Sequence, residues 1–120
     1  MTALQSLQAF WGSFGIPAYD ENTIPDDATL PYITYEASED FFGATLAQSA
    51  SLWYRSPSWA AITEKEQEIA DFITRGGRQI AYEGGAFWIK RGNPWAQRMN
   101  EPSDNMVRRI VLNVEIEFLI

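Results

Sequence analysis

The sequence predicts an α+β domain over residues 1–120, a mainly antiparallel sheet of about five strands with two helices packed on one face. Three observations carry that prediction. The last stretch alternates, with Ile110, Leu112, Val114, Ile116, Phe118 and Ile120 on one side of an extended chain. Two other stretches, 3–13 and 56–77, repeat apolar residues at helical spacing. The remaining strand-like stretches are joined mostly by short turns, so hairpins link them and not helical crossovers.

Thr2 is placed to cap the first helix, whose stripe is Ala3, Leu4, Leu7, Phe10, Trp11 and Phe14; Gly12, Gly15 and Pro17 end it. Pro17–Pro31 carries three prolines among polar residues and reads as a connection. Tyr32–Ser38 is β-branched and aromatic, so a strand is expected, with Ile33, Tyr35 and Ala37 on one face. Glu39–Gly43 forms the tip of a long hairpin. Its return strand spans Ala44–Ser56, with Leu46, Ala50, Leu52 and Tyr54 on one face and Thr45, Ser49, Ser51, Trp53 and Arg55 on the other. Phe41 and Phe42 are neighbours at that tip, where burying both requires the tip to fold back.

The second helix is expected over Ser56–Gly77. Ser56 would cap it, Pro57 would fill its first turn, and Gly76–Gly77 would stop it. Trp59, Ile62, Ile69, Phe72 and Ile73 make its apolar stripe, while Glu64, Lys65, Gln67 and Glu68 face water. Arg78–Gly92 reads as a hairpin turning at Gly84–Gly85. Gly92–Asn105 follows as a long irregular loop before the final strand.

Composition excludes several chemistries. There is no cysteine, hence no disulfide or thiol chemistry, and no histidine, which removes the commonest general base and zinc ligand. A formal charge of −7 opposes binding of nucleic acid through its phosphates. The content of 46% hydrophobic and 14% aromatic residues rules out intrinsic disorder. The amino terminus lacks the pattern of a signal peptide, and no stretch approaches the roughly 20 apolar residues of a membrane span. The carboxylate pairs Glu64/Glu68 and Glu115/Glu117 fall on water-facing sides of a helix and a strand, so general acid–base catalysis finds no pair across a cleft. The glycine pairs end a helix and turn a hairpin and do not make a phosphate loop. Neither a catalytic residue, a cofactor nor a metal ligand set is expected.

Protein surfaces remain. Trp, Met and Arg are enriched where proteins meet. Trp95, Gln97, Arg98 and Met99 in the long loop, with Phe41 and Phe42 at the hairpin tip, are the candidate interface residues. Trp95 could equally anchor its own loop over the core.

The chain resembles the small tail-terminator (tail completion) proteins of long-tailed bacteriophages, particularly those of prophages in Gram-positive bacteria. The resemblance covers most of the chain: the short first helix, "LPYITYE" (Leu30–Glu36), "LWYRSPSWAAITEKEQEIADFI" (Leu52–Ile73), "GGRQIAYEGGAFWIKRGNPWAQRM" (Gly76–Met99) and "DNMVRRIVLNVEIEFLI" (Asp104–Ile120). It implies a sheet flanked by helices and a mechanical role. Subunits would form a ring, typically hexameric, on the head-proximal end of the tail tube, ending polymerisation and presenting the surface that joins the head. The implied partners are further copies of the chain, the tail-tube protein and a head-side connector protein. The implied place is the virion tail, and the host cytoplasm during assembly. Another neck or tube protein, a small ligand-binding or hydrolytic domain, and an adaptor for a host protein are the alternatives. A ligand-binding domain would show a deep pocket with convergent polar groups and perturbed carboxylates.

Overall fold

The computed structural model of the protein describes residues 1–119. These residues form two helices, α1 (Ala3–Trp11) and α2 (Ala60–Ile73), and the strands β1 (Ala18–Asp20), β2 (Tyr32–Tyr35), β3 (Thr45–Arg55), β4 (Arg78–Tyr82), β5 (Gly85–Met99) and β6 (Val107–Phe118). The strands make one sheet in the order β1-β2-β3-β6-β5-β4. All neighbours are antiparallel except β1 and β2.

The period-two pattern of β6 decides which face is buried. Ile110, Leu112, Val114, Ile116 and Phe118 all point into the core; Ile120, expected to join them, lies outside the described residues. Opposite them on β3 stand Leu52, Ala50 and Leu46, and on β5 Phe87 and Ile89. Both helices cover this face: Leu7, Phe10 and Trp11 of α1 and Ile62, Ile69 and Ile73 of α2 share its hydrophobic cluster. Phe72 touches Phe10 and Phe14, with ring centroids 6.0 and 5.5 Å apart, so the helices lie side by side. Fully burying one such side chain stabilises the fold by about 1.5–3 kcal/mol.

Thr2 makes the expected cap, and Gln5 completes a capping box. Elsewhere the expectations need correction. The sheet has six strands, not about five, because β1 lies inside the segment read as a connection. Its three residues pair with Ile33–Tyr35 through main-chain bonds, which need no apolar alternation. Helix α2 begins at Ala60, not near Ser56. The Ser56 hydroxyl accepts from the Ser58 N–H at 3.1 Å and the Ser58 hydroxyl from the Ala60 N–H at 3.0 Å, a local polar turn that competes with helix. The β4–β5 turn is Glu83–Gly84, not Gly84–Gly85; Tyr82 pairs with Gly85, and Gly84 supplies the positive φ of 84°.

The largest correction concerns the long loop. Residues 92–99 belong to β5, which runs for 15 residues. The ladder with β6 passes from Arg91↔Val114 to Ala96↔Leu112, so residues 92–95 bulge out against Asn113 alone. Pro94 sits where no ladder donor is required. The Asn113 side-chain amide donates to the Pro94 carbonyl at 3.0 Å and closes the bulge. Gly92 is needed there because a Cβ would come within 2.9 Å of the Asn113 carbonyl oxygen.

Candidate interaction surfaces

The hairpin tip is held at its base and bare at its end. Gly43 donates its N–H to the Phe118 carbonyl at 2.8 Å, and Phe118 donates back to Ala44 at 3.2 Å. The tip is thereby tied to the end of β6, and the Asp40 side chain accepts the Phe41 N–H at 2.8 Å. Phe41 and Phe42 remain 75% and 68% exposed, so the tip does not fold back to bury them. Glu39 and Asp40 precede them, and neither forms an ion pair among the described residues.

The candidates on β5 divide between the two faces of the sheet. The bulge turns Trp95 toward α2, where its indole N–H donates to Glu66 at 2.9 Å and its ring packs on the core cluster. Glu66 is itself buried and also accepts from the Gln67 amide. Arg98, opposite Ile110, lies on the same side, with its guanidinium 4.7 Å from the centre of the Trp59 ring. Gln97 and Met99 alternate to the uncovered face and are exposed. Trp95 is thus an internal anchor, while Arg98, Gln97 and Met99 reach solvent on different sides.

At the end of the molecule where β3 and β5 finish and β6 begins, four arginines gather: Arg55, Arg98, Arg108 and Arg109. Arg55 pairs with Asp104 at 2.6 Å and Arg109 with Glu101 at 3.6 Å. Arg98 and Arg108 have no acidic partner among the described residues; both flank the Trp59 indole, Arg108 at 5.4 Å from the ring centre. The Arg108 guanidinium also donates to the Pro57 and Asn105 carbonyls at 3.0 and 2.8 Å, which fixes its position. A cleft of about 400 Å³ opens between Trp59, Arg98, Arg108 and the 99–107 segment. The Met106 N–H and the Arg55 guanidinium together hold the Asp104 carboxyl below the usual carboxylate range. The sequence did not single out Trp59 or Arg108 for this role. Strand register, which sets Arg98 opposite Ile110 and Arg108 opposite Tyr54, and the start of α2 at Ala60 bring them together.

The uncovered face carries a polar–aromatic lattice. The Trp53 indole donates to Thr34 at 3.0 Å, Arg109 lies over the Trp53 ring at 4.6 Å and donates to Ser51, and Ser49 donates to Glu36 at 2.8 Å. A shallow hollow of about 450 Å³ separates this lattice from the β5 bulge. A second, of about 610 Å³, lies over the outer side of α2 beside Tyr54, Glu64 and Glu68. Burial, then the repulsion of Glu68 and Glu64, pushes the Tyr54 phenol up, which keeps it neutral and poorly suited as a base or nucleophile. Tyr35 is likewise raised, chiefly by burial, and donates its hydroxyl to Gln8. No group of three or more acidic side chains with metal-ligand geometry occurs among the described residues. No helix among them is long and apolar enough to cross a membrane.

Against known proteins, no family model matches the chain, and no curated protein matches it. A search of solved structures finds a chain from the virion of a native gene transfer agent particle. The similarity covers 95% of this chain and 89% of that one, with a TM-score of 0.61 and 17% sequence identity. At that identity the likeness establishes a common fold.

Proposed function

We propose that this protein is a structural component of a virion, and that within it the chain acts as a tail terminator, a ring that caps the tail tube, ends its growth and offers the surface for head joining. The observation that carries the proposal is the fold shared over nearly the whole chain with a chain of a gene transfer agent virion. The resemblance of "RGNPWAQRM" and the terminal strand to tail-completion proteins supports the finer assignment. The surfaces are compatible with it. Large apolar side chains are left in water at Phe41, Phe42 and Met99, beside polar side chains able to make directed contacts. A net charge of −7 weakens association between free subunits, so that lasting assembly needs a template.

The proposed contacts with further copies, the tube and a head-side connector use Phe41, Phe42, Gln97, Arg98 and Met99. Trp95 holds the β5 bulge in place behind them. The test is localisation: a chain tagged at a surface position, expressed in the cell that makes the particles, is followed by immuno-electron microscopy. Label at the head-proximal end of the tail is expected. Label spread along the tube or confined to the head would replace the assignment with a tube or head protein, and unlabelled particles would remove the virion assignment itself.

A further inference from the structure

Charge and aromatic surface are segregated along the length of this molecule. Ten residue steps of β6 separate the pairs Arg55↔Val107 and Thr45↔Glu117, a span of about 34 Å in a molecule 43 Å long. One end carries the Trp59 cleft, where Arg98 and Arg108 have no acidic partner among the described residues. The other carries the tip "EDFFG" (Glu39–Gly43), whose two bare phenyl rings follow two carboxyls that form no ion pair among the described residues. Glu117, exposed and without an ion pair among the described residues, lies beside that tip at the end of β6. In a chain with net charge −7 these guanidiniums are locally in excess, and the nearest acids, Glu101 and Asp104, are already engaged.

We infer that the Glu39–Gly43 tip of one copy docks into the Trp59–Arg98–Arg108 cleft of a second copy of this chain. This deepens, and rests on, the proposal that the chain is an assembling subunit. The chemistry of the two patches matches. A phenyl ring from the tip enters beside Trp59 and Pro102, while Glu39 and Asp40 meet the two guanidiniums. Desolvating these charges together gives specificity, and the ring supplies apolar burial. Because the patches sit at opposite ends, a chain cannot satisfy itself. One patch meets a different patch, so copies stacked in one sense propagate the contact and close as a ring or continue as a filament, whereas two antiparallel copies exchange it as a closed pair. The cleft lies beside the Asn100–Met106 connection, and the tip is anchored to β6, so both patches are placed by the same central strand.

The absence of native cysteine makes the test clean. Ser38→Cys marks the tip and Asn100→Cys the rim of the cleft; both positions are exposed. The two purified variants are mixed and treated with a short bis-maleimide at low salt. The expected product is a mixed cross-link, favoured over either same-site product. It falls about tenfold or more when the cleft copy also carries Arg98→Glu, and returns when that copy meets a tip carrying Asp40→Lys. High salt weakens it. Circular dichroism verifies that each variant is folded. Absence of the mixed product, predominance of same-site products, or insensitivity to Arg98→Glu overturns the inference. The assay uses only the purified chain, so its failure with correctly labelled particles removes this docking mode and leaves the virion proposal intact. Unlabelled particles do the reverse.

Discussion

Replacing Trp95 with Phe tests whether this residue holds the β5 bulge to α2. The indole N–H lies 2.9 Å from Glu66 Oε2, and Glu66 is only 8% exposed. After the change that oxygen keeps the Gln67 amide at 3.1 Å as its bonding partner. Losing a donor to a buried carboxyl costs roughly 1–2 kcal/mol, and the smaller ring forfeits about another 1 kcal/mol of apolar contact. The expected loss is about 2–3 kcal/mol. With an unfolding entropy of about 0.25 kcal/mol/K for a chain of this length, the midpoint falls by roughly 8–12 °C. Glu66→Leu alone leaves the indole N–H without its acceptor, whereas the double variant leaves neither group unmatched. The two changes should therefore couple by about 1–2 kcal/mol in a double-mutant cycle. Urea unfolding followed by circular dichroism measures each corner of the cycle. A Trp95→Phe variant within about 0.5 kcal/mol of the parent, or strictly additive changes, refutes the anchoring role.

Gly92→Ala should destabilise by about 1–3 kcal/mol, read as a lower urea midpoint, because its methyl group meets the Asn113 backbone at 2.9 Å and the central β5–β6 ladder must shift. Asp104 titrates below the ordinary carboxyl value in the folded chain, so its stabilisation is fully present above about pH 4 and is lost as pH falls through the lower folded value. An Asp104→Asn variant should be less stable than the parent at neutral pH and converge with it in acid; a gap that persists in acid contradicts the assignment. Phe41→Ser/Phe42→Ser should change the unfolding free energy measured in urea by no more than about 0.5 kcal/mol, since both rings are in water, yet abolish incorporation into particles. Normal incorporation of this variant removes the tip from the set of contacts.

How much of this was legible depends on where the side chains do the organising. The buried face of β6, the faces of β3 and the cap at Thr2 follow from alternation and hydrogen-bonding chemistry, and the structure places them as expected. Strand β1 was invisible because three residues paired through their main chain leave no periodic trace. The "GNPW" bulge resembled a loop because proline and glycine signal a break wherever the partner strand is unknown. Of the candidate surface residues, Phe41 and Phe42 were readable, since adjacent rings at a hairpin tip are hard to bury together. Trp95 and Met99 looked alike in sequence, and the bulge turned one inward while alternation left the other outside. The Trp59 cleft depends on strand register and on where α2 begins, neither of which local sequence specifies.

The central claim is that this chain works by shape, as a cap on a tube. Its most direct test is the distribution of tail lengths in particles from cells in which the gene is deleted, measured by electron microscopy. The account predicts overlong tails, many without heads, reversed by supplying the chain in trans. Tails of normal length joined to heads in normal numbers would contradict it.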